Sequence, residues 1–79
     1  MSHTPHELAA EFPDRADAIH ALKDSDPHFA QLSDSYHRLN RDIHRAETDV
    51  EPCADHVLHD MKRRRLAMLD EIKARLATI

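Results

Sequence analysis

Between Pro27 and Glu47 the apolar residues fall at Phe29, Leu32, Tyr36, Leu39, Ile43 and Ala46, a 3-4-3-4-3 spacing. Only a helix gathers such a pattern into one stripe, because residues three and four apart share a helix face. The residues between are mostly polar: Gln31, Asp34, His37, Arg38, Asn40, Arg41 and Asp42. A stripe this narrow is the a/d seam of a coiled coil, and it demands a second helix along it.

The carboxy-terminal stretch supplies that helix. It carries Val57, Leu58, Met61, Leu66, Met68, Leu69, Ile72, Leu76 and Ile79, a stripe broader than one partner needs. That width predicts a helix packed on two sides. The polar turn Thr48-Asp49-Val50-Glu51 between the two long helices is short enough to make them antiparallel neighbours. A constant register then sets Ile43 near Leu58, Leu39 near Met61 or Lys62, Leu32 near Leu69, and Phe29 near Ile72.

Proline punctuates the rest. All four prolines suit the first position of a helix, where the missing N–H is not needed. Thr4-Pro5-His6-Glu7 reads as a capping box, Phe12-Pro13-Asp14 as a break and restart, Asp26-Pro27 as a capped start, and Glu51-Pro52 as a weaker one. The expected architecture is therefore all-α and a single domain over residues 1–79. Short helical segments span 5–24 (Pro5–Glu11 and Pro13–Asp24), the first long helix 27–47, the turn 48–51 and the second long helix 52–77. The whole is a long, coiled-coil-like antiparallel hairpin preceded by one or two short helices. The early stripe Leu8, Phe12, Ala16, Ile19, Leu22 covers either its own hairpin or a neighbouring chain.

The chain has 79 residues, no glycine, and one cysteine, Cys53. A core this small has no disulfide to support it, so stability is expected from long helices, a metal or association with further copies. The lack of glycine disfavours phosphate-cradling loops and dinucleotide fingerprints. No apolar run after Met1 suggests a signal peptide, and none approaches the roughly 20 residues that cross a bilayer, so the expected compartment is the cytoplasm. The net charge is −4, with residues 1–52 acidic and residues 53–79 slightly basic. An acidic half lying against a basic half explains this asymmetry. An acidic chain argues against nucleic acid as the partner.

Several strings together resemble the YdcH-like family of small bacterial proteins. They are Phe12-Pro13, Ile19-His20-Ala21-Leu22-Lys23 and Asp26-Pro27-His28-Phe29, then Tyr36 to Arg45 with Glu47, then Met61 to Leu66 and Leu69-Asp70-Glu71-Ile72. The resemblance runs from about Thr4 to Leu76 and lies in order and spacing rather than in one motif. It implies a helical, coiled-coil, bacterial and cytoplasmic protein, and brings no catalytic residue.

Candidate chemistry is sparse. Eight histidines would carry the charge from −4 to +4 if all were protonated, yet their off-stripe positions read first as solvent-facing polar residues. His44, Cys53 and His56, with Glu47 and His59 nearby, form a possible zinc site at the hairpin tip, although one thiolate without a Cys-x-x-Cys pair is a poor start for a structural site. Lys62-Arg63-Arg64-Arg65 points around the whole helix rather than making one basic patch, with Arg65 near the seam. Its alternatives are nucleic-acid binding or ion pairs with Asp34, Glu47 or a second chain. Asn40 reads as a flank residue beside Leu39, or as a polar register-setter. The serines lack a nucleophile setting, and Cys53 lacks an oxyanion site or third partner. No catalytic, cofactor or metal residue is assigned. The expected function is a non-enzymatic interaction module that binds itself, as a homodimer or higher helical bundle, and a further unidentified protein.

Overall fold

In a computed structural model, residues 6–48 and 54–78 are described. They form α1 (Leu8–Glu11), a 3-10 turn (Pro13–Arg15), α2 (Ala16–Ser25), α3 (Pro27–Glu47) and α4 (Asp55–Leu76), with no strand among them. The expected all-α hairpin is the fold.

Helix α3 runs between the limits the sequence predicts, because both ends are chemically marked. Asp26 is extended, as a residue before proline prefers, and its Oδ1 accepts the backbone N–H of His28 at 3.0 Å and of Phe29 at 3.3 Å. At the other end the Thr48 hydroxyl donates to the His44 carbonyl at 2.9 Å. Asp26 has a second task, since its other carboxylate oxygen pairs with Arg75 near the end of α4. One residue thus caps one long helix and ties down the other.

Three starts are corrected. The first helix begins at Leu8, not Pro5, with Glu7 at its N-cap making no side-chain capping bond. His6 takes a left-handed conformation, φ 64°, and the Glu7 carboxylate is drawn to His37 on α3 instead. The stretch after Phe12 opens as a 3-10 turn before α2 starts at Ala16, and α2 continues to Ser25. Helix α4 starts at Asp55, three residues after Pro52, with Ala54 as its N-cap. Thr48 forms the C-cap of α3, while Asp49 to Cys53 lie outside the described residues, as does Thr4-Pro5 of the expected capping box.

The core lies at the open end of the hairpin. Leu8, Ile19, Phe29, Tyr36, Ile72 and Leu76 form one buried cluster, with Phe12, Leu22, Leu32, Met68 and Leu69 packed against it. The early stripe therefore covers its own hairpin, although Ala16 is exposed. Arg15 fastens this cover by donating from Nη2 to the Leu76 carbonyl at 2.7 Å. That carbonyl lies in the last turn of α4, where helix acceptors lack partners and positive charge is favourable.

The antiparallel register is legible in the cross-links. His28 faces Glu71 at 3.6 Å, Arg65 donates to Asn40 at 3.0 Å and Lys62 reaches Glu47 at 2.7 Å. Toward the tip the α4 partner lies progressively further along than a constant register gives. Side chains lean toward the amino end of their helix, which for α4 is the tip, and Lys62 and Arg65 are long enough to exploit this.

Two packing expectations are also revised. The buried stripe of α3 contains Ser33 and Asn40 where the sequence suggests Leu32 and Leu39, which are only half-buried. The cause is the amino-terminal segment: it lies along the side of α3 that bears Ser33 and His37, and widens the buried strip toward it. Helix α3 thus has neighbours on two sides, whereas α4 meets the amino-terminal cover chiefly toward its carboxy end, where Ile72 and Leu76 join Leu8 and Ile19 and Arg15 reaches the Leu76 carbonyl. In α4 the only fully buried residues are Ile72 and Leu76, both near its carboxy end.

Candidate interaction surface

The half of the hairpin near its tip is built differently from the open end. Of α3, Ile43 and Ala46 are buried there; of α4, Leu58 and Met61 are half-buried, while Val57 is 40% and Leu66 58% exposed. Among the described residues no third helix packs along this stretch, and the amino-terminal segment comes no nearer than the cleft that His6 and Glu11 share with Leu66. Val57 and Leu66 are nine positions apart, about two and a half turns, so they project from opposite sides of α4. The surplus apolar surface of α4 is consequently two flanks rather than one second face.

Between these halves sits a polar seam. Asn40 is wholly buried, and its Oδ1 accepts from Arg65 Nη1 at 3.0 Å. This overturns the flank reading of Asn40: it lies in the interface of α3 and α4, where a polar residue can fix register. Tyr36, also wholly buried, donates its hydroxyl to the His6 carbonyl at 2.6 Å. Its phenol is pushed up to about 12, chiefly by burial, then by the Glu11 carboxylate, with Arg65 opposing and Glu7 adding. The left-handed turn at His6 aims its carbonyl at this hydroxyl, at a conformational cost that histidine bears better than most residues. Ser33 Oγ is buried and has no hydrogen-bond partner among the described residues.

The histidines are placed as polar surface groups with a feature the sequence did not give. His6, His20, His28, His56 and His59 are exposed, and His37 and His44 half-buried. Four of these seven face carboxylates: His6 with Glu11 at 2.7 Å, His37 with Glu7 at 2.6 Å, His20 with Asp24 at 3.5 Å and His28 with Glu71 at 3.6 Å. Only the His20–Asp24 pair, four apart on one helix, could have been read from spacing. His3 lies outside the described residues.

Lys62, Arg64 and Arg65 of the basic run are engaged within the chain. Lys62 pairs with Glu47, Arg64 with Asp60 at 3.2 Å, and Arg65 with Asn40. The Lys62 hydrogen bond holds the Glu47 carboxyl below its usual range against a smaller effect of burial, helped by the charges of Lys62, Arg65 and His6. The expected ion pair with Glu47 is present. Arg63 is exposed, with no ion pair among the described residues.

Of the zinc candidates, His44 is half-buried near the end of α3, and His56 and His59 are exposed at the start of α4. Cys53 lies outside the described residues. Among the described residues no three His, Cys, Asp or Glu side chains are grouped to hold a metal ion. No helix among them is long and apolar enough to cross a membrane.

Residues 29–76 match the model of a family described as a protein of unknown function (DUF465). The chain belongs to that family. The resemblance to YdcH-like proteins agrees with this. The DUF465 match opens at Phe29, the first buried residue of α3, and closes at Leu76, the last residue of α4. The DUF465 unit is thus the hairpin, and the amino-terminal strings around Phe12 and Ile19 lie outside it. No curated protein and no solved structure matches the chain.

Proposed function

We propose that this DUF465 protein is a non-enzymatic interaction module that associates with copies of itself through the uncovered tip half of its hairpin. The observation that carries this reading is the exposure of Leu66 and Val57 on a stretch of α4 that contributes no fully buried residue. A helix whose apolar side chains remain in water gains about 1.5–3 kcal/mol for each large one it buries fully. Flanks on opposite sides of α4 suit contacts with more than one neighbour, in a homodimer or a higher helical bundle. Scattered, mutually paired surface charges support a binding role over a catalytic one. A further protein partner would use the same surface.

Light scattering coupled to size exclusion tests the proposal. The chain is expected to run as a dimer or larger at micromolar concentration, and the double variant Val57→Asp/Leu66→Asp as a folded monomer. A native chain that stays monomeric at every accessible concentration would sink the idea.

A further inference from the structure

Lys62, Arg65, Leu66 and Leu69 fall at helical spacing on one face of α4. With Tyr36 of α3 and with His6 and Glu11 of the amino-terminal segment they enclose a cleft of about 230 Å³. All of these residues belong to one copy, so the cleft is complete without self-association.

Its charges are matched except at one point. Lys62 is held by Glu47 at 2.7 Å, and Glu11 by His6 at 2.7 Å. The half-buried Arg65 instead meets a neutral acceptor, donating from Nη1 to the Asn40 amide oxygen at 3.0 Å. It has no ion pair among the described residues. Glu47 feels its charge, but that carboxylate is hydrogen-bonded to Lys62. A guanidinium carries five N–H donors in a fork that fits a carboxylate, so most of the capacity of Arg65 is unspent. Beside it Leu66, 58% exposed, is the most exposed large apolar side chain among the described residues.

From this pairing of an unmatched cation with an uncovered leucine we infer that the cleft binds a small monocarboxylate with a short aliphatic chain. The carboxylate takes the remaining donors of Arg65, and the chain lies over Leu66 and Leu69. One unmatched cation suits one negative charge. Glu11 in the cleft, and Glu47 behind Lys62, repel the further charge of a phosphate or of nucleic acid. A space below the size of drug-binding pockets limits the chain to a few methylenes.

Saturation-transfer NMR on the full chain, at a dilution where no association remains, tests this with hexanoate as probe. Saturable binding is expected with a Kd of roughly 1 mM, within reach of a ligand of about eight heavy atoms. 1-Hexanol lacks the charge and acetate the chain, and each should bind at least about tenfold more weakly. Arg65→Met, which keeps an apolar stem without the charge, should weaken hexanoate at least about tenfold. Leu66→Asn should weaken it about threefold, and Glu11→Gln should tighten it by a similar factor. Circular dichroism checks the helices of each variant. Where Arg65→Met fails to fold, Leu66→Asn and Glu11→Gln decide, since they leave the Asn40 contact in place. The inference is overturned by no saturable binding, by 1-hexanol or inorganic phosphate binding as tightly as hexanoate, or by folded variants that leave its affinity unchanged. Water alone then serves Arg65.

Discussion

The two ends of this hairpin solve the same problem with different means. At the open end a third element, residues 6–25, lies over α3 and α4, and Phe29, Tyr36 and Ile72 are sealed from water. At the tip, among the described residues, two helices meet without a third, and α4 offers no fully buried residue before Ile72. Polar chemistry follows the same division. The open end spends a buried phenol, an arginine on a helix terminus and a two-purpose aspartate on fixing its layers. The tip relies on pairs such as Lys62–Glu47, with side chains 42% and 39% exposed, which water screens. Two helices have too little facing surface to bury both apolar stripes. On the proposed reading, this is the end that meets another chain.

The largest effect should come from truncating the same chemistry at both ends. Phe29→Ala removes a wholly buried ring from the three-layer end, and unfolding in urea should show a loss of about 3–5 kcal/mol. Leu66→Ala at the tip should change the stability of the isolated fold by less than about 0.5 kcal/mol, measured at a dilution where no association remains. Equal losses would erase the distinction between the ends.

Tyr36 sharpens the comparison through pH. Its phenol ionises near pH 10 in the unfolded chain and near 12 in the fold. A group raised in this way adds stability that is complete below pH 10 and is lost as pH climbs toward 12. Thermal melts should therefore fall steeply over that window, and Tyr36→Phe should flatten the fall. At neutral pH the same substitution should cost about 0.5–1.5 kcal/mol, the net value of its bond to the His6 carbonyl. An alkaline limb unchanged in Tyr36→Phe would place the sensitive group elsewhere.

The hairpin was legible because its signals are local. Asp26-Pro27 carries both a cap and a restricted residue, and the 3-4 spacing of α3 needs no knowledge of its partner. The stripe was nonetheless read one position off at Leu32 and Leu39. Pattern alone assumes one partner helix, whereas a second neighbour widens the buried arc to take in Ser33, and Arg65 of α4 gives the polar Asn40 a partner inside the interface. The start of α1 was misread for a related reason: Glu7 had two available partners, its own helix terminus and His37, and the tertiary one won. The breadth of the α4 stripe was visible, but its division into two flanks depends on where the cover ends.

Ser33 gives the smallest effect and the clearest sign. Its hydroxyl is wholly buried beside the amino-terminal cover, with no hydrogen-bond partner among the described residues. A buried hydroxyl left unpaired costs about 1–3 kcal/mol, part of which any relaxation toward a backbone carbonyl recovers. Alanine removes the polar atom, leaves a void smaller than a methyl group would, and has the better helix propensity. Ser33→Ala should therefore stabilise the fold by roughly 0.5–1 kcal/mol, a gain readable as a higher urea midpoint at unchanged slope. A loss instead would mean that the hydroxyl holds the cover to α3, and that the open end owes part of its third layer to a polar contact rather than to Leu8 and Ile19.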